Sequence, residues 1–223
     1  MIIVIQKRCW YARGVLRISI TVFALSVTGT SLIITRAQSR ADLIVQQLRD
    51  LPTPLPPLIN SNGAIKPEER RRRQLYDQIR HLRSEGVVAL ARGLNDDDVQ
   101  LRKNVALAFD VLAGTWFDPS WSKTDVKPAL PVLATALRDG EPKVRWWAAQ
   151  ALGEMGPDAK SAVPELITLL SNPDEGSRNS ACIALRSIGP AAQMALPALR
   201  NSLSDPSKDV RRFAELAIKS IQR

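Results

Sequence analysis

The sequence predicts an all-α protein, a short α-solenoid of four helical hairpins preceded by an N-terminal apolar signal or anchor helix. Three observations carry this reading. Three copies from residue 126 onward repeat every 33 residues with an earlier copy joining at a spacing of 43, the apolar positions inside each copy recur at helical period, and an uncharged 18-residue run lies behind four basic residues near the start. Self-similarity at a fixed period marks stacked units, each of which needs a neighbour to bury its apolar face.

Residues 1–37 read as a signal peptide or membrane anchor. Ile18 to Thr35 (ISITVFALSVTGTSLIIT) carries no charge, follows Lys7, Arg8, Arg13 and Arg17, and runs into Thr35-Arg36-Ala37, with small residues at both ends of a possible cleavage tripeptide. The run is near the lower limit for spanning a bilayer and longer than many signal-peptide cores, so retention and cleavage both stay open. Basic residues ahead of the run hold the N-terminus in the cytoplasm. The remainder is then expected beyond the membrane, either anchored through residues 18–35 or exported after cleavage. The competing reading of the run is a buried core helix, which its lack of amphipathic period disfavours.

Residues 38–66 read as a short helix and a proline-rich linker. Ile44, Leu48 and Leu51 share one helical face with Leu43 beside them, and Pro52 stops the pattern. Pro52, Pro54, Pro56 and Pro57 followed by Ser61-Asn62-Gly63 describe a stiff spacer ending in a turn. Residues 67–83 then read as a basic capping helix, with proline and acidic residues at Pro67-Glu68-Glu69 and an apolar stripe at Leu75, Ile79 and Leu82. Its run Arg70, Arg71, Arg72, Arg73 is a candidate site for phosphate, anionic lipid or an acidic protein; the competing reading is a solvated helix face.

The repeats follow as 84–125, 126–158, 159–191 and 192–223. In the last three, Pro131, Pro164 and Pro197 correspond, as do Leu133, Leu166 and Leu199, then Leu137, Leu170 and Leu203, all in first helices. In the second helices Arg145, Arg178 and Arg211 align, with Ala148, Ala181 and Ala214, then Ala151, Ala184 and Ala217, then Met155, Ile188 and Ile221. Leu90, Leu94, Arg102, Ala108 and Leu112 join this register after an insertion at Gly114 to Thr124. Small residues suit close helix approach, and the larger apolar ones fill the space between hairpins.

Asp96, Asp139, Asn172 and Asp205 each stand six residues before an arginine of this series. Their side chains are expected to accept from free N–H groups at the next helix start, and the guanidinium groups to donate to carboxylates or carbonyls along the stack. This pattern resembles the HEAT-repeat family, more closely its short bacterial type similar to phycobilisome-lyase repeats, over about Ser84 to Arg223. The resemblance implies four HEAT-like hairpins. Its lyase-related branch implies, as an alternative, a chromophore-lyase-like auxiliary subunit. Glu215 replaces the small residues Ala106, Ala149 and Cys182, as expected of a terminal unit with a polar outer side.

Chemistry finds little to build on. The chain has one histidine, His81, and two cysteines, Cys9 and Cys182, far apart in sequence, too few for a histidine-dependent triad, a multi-histidine metal site or a disulfide framework. No phosphate-cradling glycine motif occurs, and Gly153 and Gly156 read as caps at a helix end. Asp96-Asp97-Asp98 reads as an N-cap in a turn. We expect no cofactor, no metal and no catalysis. The first 37 residues hold five basic and no acidic side chains, which brings the net charge from +9 to +4 for the rest, so a nucleic-acid partner is not expected.

Four tryptophans instead point to binding. Trp116 and Trp121 lie in the insertion, and Trp146 and Trp147 start a second helix beside Arg145. Second helices line the concave side of such a solenoid, and aromatic residues beside arginine anchor protein interfaces. Trp116, Trp121, Arg145, Trp146, Asn179 and Arg212 are therefore the candidate contacts, while Trp147 is assigned to the core because Phe213 is its equivalent; the competing reading is that the insertion folds back and the tryptophan rings pack on one another. The expected function is a non-catalytic protein-binding scaffold or adaptor, exported or membrane-tethered. Its alternatives are the lyase-like subunit and anionic-surface binding through the basic helix.

Overall fold

The computed structural model describes residues 40–51, 67–81, 84–114 and 125–223, and among them there is no strand. The expected N-terminal anchor, the proline-rich linker and most of the insertion, including Trp116 and Trp121, lie outside the described residues. Among those described, no helix is long and apolar enough to cross a membrane.

Two helices precede the repeats, α1 over 40–49 and α2 (Pro67–Arg80). The first helices of the four units are α3 (Ser84–Ala91), α5 (Leu130–Ala136), α7 (Val163–Leu169) and α9 (Leu196–Asn201). The second helices are α4 (Val99–Ala113), α6 (Pro142–Met155), α8 (Glu175–Ile188) and α10 (Lys208–Ile221). Pro131, Pro164 and Pro197 sit in the first turns of α5, α7 and α9, where a missing N–H leaves no helical bond unmade.

Helices α6 and α8 end at Gly156 and Gly189, whose φ of 59° and 66° suits a residue without Cβ. A 3₁₀ segment follows each, Gly156–Ala162 and Gly189–Ala195, and leads into the next first helix. Gly153 has a different task from the cap expected of it. It is buried inside α6, and a Cβ there would lie 3.2 Å from the Ala184 Cα, so the glycine permits close approach of α6 and α8.

Second helices α4, α6, α8 and α10 pack successively on one another, whereas consecutive first helices meet far less. The second helices therefore lie on the inner side of the curve. Ala148, Ala181 and Ala214 are fully buried between them, and Leu133, Leu166 and Leu199 are fully buried beneath the first helices. Tight alanine rows bring helices together at a distance that large side chains would prevent.

Helix α1 is part of this body, although on sequence it groups with the linker. Ala41, Ile44, Leu48 and Leu51 are buried and Leu43 is left exposed. Its last carbonyls meet the start of α4: Asn104 Nδ2 donates to Leu48 O at 2.7 Å and Leu51 O at 2.9 Å, and Gln100 Nε2 donates to Leu51 O at 2.9 Å. These bonds satisfy carbonyls that a helix end leaves open. Helix α2 buries Leu75, Tyr76 and Ile79 and packs against α4.

Candidate partner-binding face

The turn inside each unit is built in the same way four times. Asp96, Asp139, Asn172 and Asp205 each accept the backbone N–H two residues ahead at 2.8–2.9 Å. This tightens the turn rather than capping the helix itself. The cap falls to the residue two positions later in three units: Asp98 accepts from Gln100 N and Leu101 N, Asp174 from Ser177 N, and Ser207 from Val210 N. In the second unit, the exception, Glu141 precedes α6 without a side-chain cap and Pro142 begins the helix.

Each arginine of the series then folds back on its own turn. Arg102, Arg145, Arg178 and Arg211 donate through Nη1 to the two carbonyls of that turn at 2.6–3.1 Å. The other edge of the guanidinium reaches one unit forward. Arg102 Nε lies 2.7 Å from Asp139 Oδ2, and Arg178 Nε lies 2.8 Å from Asp205 Oδ2 with Nη2 3.0 Å from Oδ1. Planar guanidinium matches carboxylate geometry in this two-pronged way. The Arg178 hydrogen bond holds the Asp205 carboxyl below the usual carboxylate range.

Arg145 corrects one expectation. It was a candidate partner contact, but it is 7% exposed and committed to the stack. The residue one unit ahead is Asn172 rather than an aspartate, so Arg145 Nε donates to Ser177 Oγ at 2.8 Å and Nη2 lies 3.6 Å from Asp174 Oδ2. Ser177 in turn donates its hydroxyl and N–H to Asp174, which holds that carboxyl low. At the other end of the series Arg49 of α1 donates to Asp96 at 2.9 Å and Asp98 at 3.4 Å, supplying the guanidinium that an earlier unit would supply.

The remaining candidates among the described residues fall in one row. Lys103, Trp146, Asn179 and Arg212 occupy equivalent positions one after another along the second helices. Trp146 is half-buried, and its ring stands edge-on to Trp147 with centroids 4.2 Å apart and planes at 70°. Trp147 packs on the core, as its equivalent Phe213 does. Arg212 is exposed, with its guanidinium carbon 4.7 Å from the Phe213 ring centroid. Asn179 is half-buried, and its Oδ1 is shut from water with no hydrogen-bond donor among the described residues. An acceptor in that state costs about 1–3 kcal/mol until something donates to it.

The row continues at helical period. One turn on stand Leu107, Gln150, Ile183 and Leu216, and a further turn on Asp110, Gly153, Arg186 and Lys219. These positions lie opposite the fully buried Leu101, Val105 and Ala108 of α4. Gln150, Ile183 and Leu216 are half-exposed and Arg186 is exposed, so all four belong to the same inner face; the aromatic and polar signals used on the sequence passed over them. Lys103 Nζ is 3.7 Å from Glu141, and Lys219 Nζ is 2.6 Å from Glu215. Arg186 and Arg212 have no acidic partner among the described residues.

Two titratable groups are set apart by burial. Asp110 is 3% exposed, and loss of solvation, helped by the charge of Glu154, raises its pKa to about 7. Burial pushes the Cys182 thiol up to about 12, which leaves it a packing group rather than a nucleophile. Among the described residues no group of three or more His, Cys, Asp or Glu side chains is placed to hold a metal ion. Of the basic run, Arg70 and Arg71 are exposed on α2; the side chains of Arg72 and Arg73 are outside the description.

Comparison with known proteins meets this geometry at its most regular part. Residues 128–219 match the family of HEAT repeats. The match takes in the second and third repeat units and nearly all of the fourth, where the 33-residue register holds. Curated proteins give no match.

Among solved structures, an engineered protein aligns with a TM-score of 0.54 at 20% identity, over 87% of this chain and 92% of its own. A designed armadillo repeat protein in complex with the peptide (KR)4 aligns with a TM-score of 0.53 at 16% identity, over 86% and 92%. The complex of CpcE and CpcF of phycocyanin lyase from Nostoc sp. PCC7120 aligns with a TM-score of 0.51 at 23% identity, over 78% and 70%. At these identities the likeness shows the fold, an all-helical repeat solenoid.

Proposed function

We propose that this chain is a non-catalytic scaffold that binds a partner protein along the inner face of its second helices. The observation that supports the reading is the row formed by Trp146, Asn179 and Arg212. It places an edge of indole, a half-buried amide and an exposed guanidinium without an acidic partner among the described residues in succession along one row. Aromatic and arginine side chains on a concave surface are the usual anchors of protein interfaces. The peptide held by the designed armadillo relative and the two-protein assembly of CpcE with CpcF agree with a binding role for this architecture. Residues 18–35 would tether the scaffold to a membrane or direct its export, which sets the partner beyond the membrane.

Site-specific photo-crosslinking in native cells tests the reading. A photoreactive residue at position 146 or 179 should trap a partner protein, whereas the same residue at Thr135 or Thr168, exposed on the first helices, should not. Equal trapping from both sides would overturn it. Fractionation with intact-mass measurement tests the tether: full-length protein in the membrane supports an anchor, and a soluble chain lacking its first residues supports cleavage.

A further inference from the structure

Resting on the protein-binding reading above, we infer that the partner enters as an extended acidic segment, whose backbone meets Asn179 and whose carboxylates meet Arg186 and Arg212. Charge along the inner face is divided. On the half formed by α4 and α6 the Asp110 carboxyl is buried and Lys103 is committed to Glu141. The half formed by α8 and α10 presents Arg186 and Arg212 without an acidic partner among the described residues, beside a Lys219 already shared with Glu215. Exposed cations without an acidic neighbour on a recognition surface favour opposite charge in the partner.

Asn179 separates a peptide from other anions. Its Oδ1 has no donor among the described residues and is closed to water, so a partner reaches it once the amide turns outward. Phosphate groups and lipid phosphodiesters in their ionised form offer acceptors, whereas an extended peptide offers an N–H and a C=O at every residue. The planar amide can turn about its last torsion, so the same side chain can serve both groups. Half-exposed Ile183 and Leu216 provide an apolar floor one turn away.

Spacing sets the motif. Packed helices lie about 8–10 Å apart, and an extended chain advances about 3.3 Å per residue, so one helix corresponds to about three residues. A side chain over Trp146 and a carboxylate at Arg212 are then about six residues apart, with the intervening backbone crossing Asn179. The segment fitted to this face carries an apolar residue followed about six positions later by Asp or Glu.

The test uses the full chain and two fluorescein-labelled peptides, identical except that one carries leucine and, six positions on, two glutamates, and the other lysines in their place. Anisotropy should show the glutamate peptide bound about tenfold tighter or more, a preference that falls as salt is raised. The double change Arg186→Glu with Arg212→Glu, both at exposed positions, should reverse the preference, and Asn179→Ala should weaken the glutamate peptide without altering helix content by circular dichroism. Equal binding of the two peptides, or no response to the double change, overturns the proposal. Vesicles of phosphatidylserine that bind through Arg186 and Arg212 while the glutamate peptide does not would also overturn it and identify a lipid surface. If crosslinking from position 146 still traps a partner while the peptide preference is missing, the acidic chemistry fails and the protein-binding face stands.

Discussion

Arg102 of the first unit and Asp139 of the second are joined at 2.7 Å across the boundary between them, while the same guanidinium grips the turn carbonyls of its own unit. Arg178 and Asp205 repeat the arrangement two units on. One side chain thus fixes both the shape of its own turn and the seating of the next unit. Arg178→Met should destabilise the protein by about 3 kcal/mol in urea unfolding, because it leaves Asp205 partly buried without its cation. Arg178→Lys should recover less than half of that, since an ammonium cannot make the paired contact. The Asp205 carboxyl is held below its ordinary range, so the pair's contribution is complete above that range and disappears as pH falls through the lower folded value. Parent and Arg178→Met should therefore differ at neutral pH and converge in acid.

At the middle boundary Asn172 stands where the other units carry aspartate, and Arg145 has turned to Ser177 at 2.8 Å. Ser177→Ala should cost about 1–2 kcal/mol in the parent, since a buried guanidinium loses an acceptor. In an Asn172→Asp background the same change should cost less, because Arg145 regains a carboxylate one unit ahead. A double-mutant cycle giving a coupling of about 1 kcal/mol would show this, and strict additivity would refute it.

Asp110 makes the opposite pH prediction. Its folded pKa of about 7 lies above the ordinary 3.8, so the folded state holds this proton more tightly and stability falls as pH rises from about 4 to about 7. Asp110→Asn removes that dependence. Relative to the parent it should gain progressively over this interval and level off above it, by up to about 4 kcal/mol in all, of which about 3 kcal/mol separates thermal or urea measurements at pH 5 and pH 8.

The glycines divide by mechanism. Gly153→Ala would place a Cβ 3.2 Å from the Ala184 Cα and should cost about 1–3 kcal/mol through overpacking. Gly156→Ala should cost a similar amount, about 1–3 kcal/mol, through a backbone conformation that alanine disfavours. Gly140→Ala, with no atom within 4 Å and an ordinary φ, should be close to neutral and serves as the control in the same melts.

Helix α1 hangs on a few polar bonds beside its apolar stripe. Arg49→Ala with Asn104→Ala removes the links to Asp96, Asp98 and the Leu48 carbonyl and leaves Gln100 alone on the Leu51 carbonyl. Hydrogen exchange should then speed up across residues 40–51 while α6, α8 and α10 keep their protection. Unchanged exchange there would mean that Ile44 and Leu48 hold the helix without polar help.

What the sequence made legible follows from which signals are periodic. Leu133, Leu166 and Leu199 announce the first helices, Ala148, Ala181 and Ala214 the second, and the arginine series the boundaries, because every unit meets the same surroundings. Non-periodic relations were illegible. The Ile44 and Leu48 stripe declares an amphipathic helix without saying that the start of α4 receives it, since the bond from Arg49 to Asp96 spans 47 residues with no repeat to mark it. Arg145 read as a surface cation because burial of a guanidinium depends on Ser177 in another unit. Gly153 read as a cap because a close approach of two helices leaves no trace in either taken separately. Arg186 and Ile183 were within reach of the 33-residue register, but attention to aromatic residues passed over them.

The forward-reaching arginine also bears on how such a chain can change length. Excision of residues 159–191 would carry Arg145 directly to Asp205, the guanidinium-to-carboxylate pairing already used at the first and last boundaries. The shortened protein would have one less span of inner surface and a junction of the commoner type in place of its odd one. Duplication of the same stretch would copy the odd junction instead. Growth and trimming by whole units are thus unequal operations here, and residue 172 is where that inequality is written.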